Sequence, residues 1–92
     1  MTAVRIGKDF IKISGHSGYA ASSSDIVCAA ISSATELLSA TLDELGERYE
    51  ASTADAVAEL RVDTSSPAVR AYRRHVANIA ENYPKYVKLE EV

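Results

Sequence analysis

A single cysteine, Cys28, stands twelve residues after a histidine, His16, and these are the two side chains best suited to nucleophilic catalysis. A thiolate is a strong nucleophile, and an imidazole can take the thiol proton and later give it to a leaving amine. The surrounding pattern puts His16 at the exit of a strand and Cys28 in the first turn of a helix. Unpaired backbone N–H groups and the positive dipole end favour a thiolate there. Asp25, in the same turn, either orients a histidine or complements the dipole. Ser32, one turn beyond Cys28 on the same face, either hydrogen-bonds near the thiol or fills a helix contact. Plainer roles stay open for the pair itself: Cys28 as a small buried hydrophobe and His16 as a solvated loop histidine. The other histidine, His75, follows Arg73-Arg74 off the apolar stripe of its helix and fits a solvated basic face. With two histidines, one cysteine and no paired spacing, neither a structural metal site nor a cofactor is expected.

The elements that must carry these residues read as alternating strands and helices. Val4 and Ile6 share a parity, Gly7-Lys8-Asp9 supplies a turn, and Ile11 and Ile13 face one way, which predicts a hairpin of strands near 2–7 and 10–14. Gly15 to Ser24 is small and polar, and within 17–24 Tyr19 is the only anchor. It reads as a mobile loop that orders over a substrate, with Ser17, Gly18 and Tyr19 the contacting residues. A helix capped by Ser23 or Ser24 follows, with Val27, Ile31, Ala34, Leu38, Leu42 and Leu45 as its buried stripe and Gly46 as its stop. Residues 47–53 carry no clear period. Ala54, Ala56, Ala58, Leu60 and Val62 alternate with polar neighbours and predict one half-buried strand. Ser66-Pro67 starts a second helix, striped by Val69, Tyr72, Val76, Ile79 and Tyr83 and ending before Pro84. Tyr86 to Val92 closes the chain as a strand. The expected fold is α+β, in two layers: a four-stranded, mainly antiparallel sheet with two helices, in the order β-β-α-β-α-β.

Composition narrows the functional classes. Ninety-two residues are expected to form one domain, 1–92, with a modest core. Ten basic against thirteen acidic residues, a formal charge of −3, argue against general nucleic-acid binding, which runs on phosphate neutralisation. One cysteine precludes an intramolecular disulfide and fits a reducing cytoplasm. Residues 1–8 lack the apolar run of a signal peptide, and the uncharged stretch 26–35 falls short of the ~20 residues of a membrane helix, so no membrane partner is expected. Asp43, Glu44, Glu47 and Glu50, opposed only by Arg48, form either a patch for a cationic peptide or a solvated helix end.

Gly15-His16, a short loop, Asp25-Ile26-Val27-Cys28-Ala29-Ala30 and Ser32-Ser33 together resemble the signature of the ribosomal-processing cysteine protease family, Prp. That pattern is Gly-His, a loop, then Asp-Ile/Leu-Val-Cys-Ala with a serine four residues after the cysteine. The His-to-Cys gap matches, the element order covers essentially the whole chain, and the Tyr83-Pro84 to Val87 ending is similar too. The resemblance implies a Cys–His dyad with Cys28 as nucleophile and His16 as general base. Ser32 would support the site, and Gly15 and Asp25 would shape it. It further implies a cytoplasmic, homodimeric bacterial endopeptidase. Its substrate would be a large-subunit ribosomal protein, whose N-terminal extension is removed by cutting after an aromatic residue. The loop at 17–24 departs from the family's sequence, which leaves open how it touches substrate. A non-catalytic ribosome-maturation module on the same fold is the competing expectation.

Overall fold

The computed structural model of the chain describes residues 2–15, 22–54 and 57–92, and for 22–25 the backbone alone. Its elements are β1 (Thr2–Ile6), β2 (Phe10–Ser14), α1 (Ser22–Leu45), β3 (Tyr49–Ala54), β4 (Val57–Val62), α2 (Pro67–Asn82) and β5 (Val87–Glu91). The sheet has five strands in the order β3-β4-β2-β1-β5. Every pairing is antiparallel except β1 with β5, which is parallel.

The class is α+β with two helices, as expected, but the sheet is mixed and has a fifth strand. The single strand expected from Ala54 to Val62 is the second arm of a hairpin, whose first arm, β3, occupies the segment without a period. The physical reason lies in the burial. β3 is an edge strand whose residues 50–54 are exposed on both faces, so no apolar alternation marks it. The parallel β1–β5 pair follows from α2, which carries the chain back across the sheet before β5 begins.

One face of the sheet is dry. Val4 and Ile6 of β1, Ile11 and Ile13 of β2, Leu60 and Val62 of β4 and Val87 of β5 meet Val27, Ile31, Leu38 and Leu42 of α1 and Val69, Tyr72, Val76 and Ile79 of α2. The opposite face carries a row of polar residues in register across all five strands: Ser52, Glu59, Lys12, Arg5 and Glu90. Two residues placed in the core stripes lie outside it: Leu45 is 60% exposed and Tyr83 49%. Both sit at helix ends, where the stripe runs past the edge of the sheet.

Helix termini follow local chemistry. Ser66 accepts from the Ala68 N–H at 3.3 Å, and Pro67 occupies the first helical position of α2. At the far end of α1, Gly46 takes φ +69°, Glu47 N–H donates to Leu42 O at 2.9 Å and Gly46 N–H to Asp43 O at 3.1 Å. These two bonds are the Schellman closure that glycine permits.

Among the described residues one segment, Ile26–Leu45, is long and apolar enough by composition to cross a membrane, with a mean hydropathy of 1.3. The leucines at 37, 38, 42 and 45 extend the apolar stretch past the limit read from sequence. Val27, Ile31, Leu38 and Leu42 on that segment are buried against the sheet.

Candidate active site

Cys28 is 7% exposed and belongs to the core-facing side of α1. Its Sγ lies 3.0 Å from Oγ1 of Thr2, the first residue of β1 and itself 1% exposed. This contact fixes which end of the sheet surrounds the sulfur. Thr2 precedes Ala3, Ala3 pairs with Ser14 at the end of β2, and Thr2 pairs with Val87 at the start of β5. The end of β2, the start of β1, the start of β5 and the N-terminal half of α1 therefore converge.

Gly15, the first residue past β2, has φ +73°, a left-handed conformation that only glycine adopts without strain. It turns the chain at the end where Thr2 meets Cys28. His16, Ser17, Gly18 and Tyr19 lie outside the described residues. Asp25 is in the first turn of α1, as expected, and its side chain lies outside what is described.

The helix start differs from the sequence expectation in a way that bears on the chemistry. α1 begins at Ser22, so Ser23 and Ser24 are helical rather than capping, and Cys28 is the seventh residue of the helix. The four free N–H groups of an α-helix belong to its first turn, and the dipole's influence fades over the same span. Cys28 thus sits a turn too deep to rely on either. What it touches instead is the Thr2 hydroxyl. Thr2 was missed as a site residue, although it shares the parity of Val4 and Ile6 and so was bound to face the helices.

Ser32 does not share the environment of Cys28. It is exposed and, with Thr35, Glu36 and Ser39 of α1, forms one wall of a cleft of about 310 Å³. The floor comes from Ile13, Ala51, Thr53, Ala58 and Leu60. Ala51 and Thr53 sit opposite Leu60 and Ala58 on the helix-facing side of the sheet, yet among the described residues no helix covers them. An extended chain laid there would run beside the free edge of β3, one helical turn from Cys28.

His75 is exposed on α2 and lines a second groove with Leu37, Thr41 and Ala71. The acidic patch is weaker than the sequence suggests. Glu50 stands opposite Arg61 across the β3–β4 pair, so Arg61 joins Arg48 around the depression lined by Asp43, Glu47 and Tyr49. Burial, with Asp43 as hydrogen-bond partner and neighbouring charge, pushes the Tyr49 hydroxyl above its ordinary value. From Cys28 to Asp43 is fifteen helical residues, about 22 Å at 1.5 Å per residue. No group of three or more metal-binding side chains occurs among the described residues.

The family model for cysteine protease Prp matches residues 1–88. The chain belongs to the Prp family of cysteine proteases. Solved structures share its fold. The essential ribosomal processing protease Prp from S. aureus, in complex with a substrate peptide, superposes with a TM-score of 0.81 at 21% identity over 100% of both chains. The same S. aureus protease with a covalently linked product peptide gives 0.78 at 22% identity, again over 100% of both. A Streptococcus mutans protein gives 0.76 at 23% identity, covering 99% of this chain and 91% of its own. No curated protein matches the chain.

Proposed function

We propose that this protein removes the N-terminal extension of a large-subunit ribosomal protein, using Cys28 as nucleophile and His16 as its base. The observation that carries the reading is the convergence at Cys28: Thr2 touches the sulfur, and β2 ends at the same edge. His16 is two residues beyond Ser14, a chain reach of at most about 7 Å. Membership of a cysteine protease family and the fold shared with an S. aureus protease captured with a substrate peptide support it.

The chemistry follows from those two groups. His16 takes the Cys28 proton, and the thiolate attacks the scissile carbonyl, forming a C–S bond. The imidazolium then protonates the departing amine as the C–N bond breaks, leaving a thioester. Water, deprotonated by the imidazole, attacks that thioester. The cleaved carboxylate leaves and the thiol is restored. Peptide lying along the β3 cleft would be held by main-chain bonds to the strand edge, with Ser32 at the wall nearest the sulfur.

The setting we propose is the bacterial cytoplasm, where ribosomes assemble. The protein works as a homodimer, for which exposed Ile26, Leu37 and Leu45 on α1 offer the apolar surface. Sedimentation of Leu37→Glu as a monomer, against a wild-type dimer, tests that surface.

One observation favours a second reading, a non-catalytic ribosome-maturation module: Cys28 is only 7% exposed. Incubation with the ribosomal protein carrying its extension, read by mass spectrometry, separates the two. The protease reading expects a shortened product with wild-type protein and none with Cys28→Ala. Equal cleavage by Cys28→Ala would overturn it.

A further inference from the structure

Thr2 is a polar residue with 1% exposure, and its hydroxyl reaches Cys28 Sγ at 3.0 Å. Its backbone is anchored by a 2.8 Å bond from its N–H to Tyr86 O and by its pairing with Val87. We propose that Thr2 is a positioning residue for the Cys28 sulfur, holding it at the sheet end in both its thiol and thiolate forms. The inference rests on the reading of Cys28 as nucleophile.

A threonine hydroxyl both donates and accepts. Facing a thiol it accepts from S–H; facing a thiolate it rotates its own proton and donates to the sulfur. The second bond is charge-assisted and the stronger of the two. The oxygen itself hardly moves between these states, because a β-branched side chain on a paired strand is stiff about χ1. Among the described residues no other side chain hydrogen-bonds to Cys28. With the sulfur a turn past the free N–H groups of α1, the hydroxyl supplies the donor that the helix start does not.

The test uses Thr2→Val, which removes the hydroxyl and keeps the branched shape, and Thr2→Ser, which keeps the hydroxyl. Since the chain has one cysteine, the ultraviolet absorbance of the thiolate reports Cys28 alone once a Cys28→Ala blank removes the tyrosines. Thr2→Val is expected to titrate about one pH unit higher than wild type, or about tenfold less thiolate at a given pH below the midpoint. Thr2→Ser is expected to follow wild type. In the cleavage assay Thr2→Val should lose kcat at unchanged KM, because Thr2 acts through the sulfur and not on the peptide. Should the valine pack badly, Thr2→Ala deletes the same oxygen without adding an apolar atom and should show the same displaced titration. Titration of Thr2→Val and Thr2→Ala with wild type, or displacement of Thr2→Ser as far as Thr2→Val, would overturn the proposal. The titration needs no substrate, so its outcome is independent of whether the ribosomal protein is cleaved.

Discussion

The Thr35 hydroxyl of α1 lies 2.9 Å from the Tyr72 hydroxyl of α2, while Thr35 also donates to Ile31 O at 2.8 Å. This makes Thr35 the acceptor of the Tyr72 proton, since its own is committed to the backbone. Tyr72→Phe should then cost about 0.5–1.5 kcal/mol in denaturant unfolding, the net worth of one hydrogen bond. Burial raises the Tyr72 hydroxyl above its ordinary value of 10.0. A raised folded-state value means the stabilisation is complete below the unfolded value and is lost as pH rises through the folded one. Wild type should lose stability on the alkaline side of the ordinary tyrosine range, and Tyr72→Phe should lose less. Parallel losses in the two proteins would show that Tyr72 is not the group responsible.

Leu38 and Leu45 occupy the same predicted stripe but opposite environments, 4% and 60% exposed. Leu38→Ala should cost ~2–5 kcal/mol as a cavity-forming truncation. Leu45→Ala should stay within about 0.5 kcal/mol, as exposed substitutions do. Urea midpoints measured side by side would check the contrast.

Gly46 offers a cleaner backbone test. A Cβ there meets nothing within 4 Å, so the cost of Gly46→Ala comes only from φ +69°. About 1–2 kcal/mol is expected from the left-handed conformation of an L residue. Gly46→Asn, whose side chain tolerates that region, should recover part of the loss in thermal unfolding.

For catalysis, the signature of a dyad is non-additivity. His16→Ala should cost nearly as much rate as Cys28→Ala, and the double variant little more than either. His75→Ala, altered on an exposed face of α2, should stay within a few-fold of wild type. Loss of cleavage in His75→Ala with His16→Ala active would reassign the base.

Much of the fold was legible where local chemistry is strong. Ser66-Pro67 marks the start of α2, Gly46 the end of α1, and the parity of Val4, Ile6, Ile11 and Ile13 the dry face of the first hairpin. β3 was not legible, because an edge strand exposed on both faces has no reason to alternate. The alanines at 54 and 56 extended the apparent period of β4 back beyond its first residue, Val57. The helix start was misplaced because serines at 22–24 read equally well as loop, cap or first turn. That error put Cys28 nearer the N–H groups than it is. It also hid the significance of Thr2, which becomes visible only when β1 and α1 are brought together.

The pairing of β1 with β5 also has a temporal side. Thr2 is made 84 residues before Tyr86, yet the Thr2 N–H depends on the Tyr86 carbonyl. The pairing that steadies the thiol's neighbour is thus completed only once Tyr86 and β5 have been made, after the slow closure that such distant contacts impose. A chain halted before residue 86 should hold its hairpins and α1 but leave Thr2 untethered, giving Cys28 a thiolate titration unlike that of the finished protein. An incomplete copy emerging from the ribosome would then carry Cys28 without its setting.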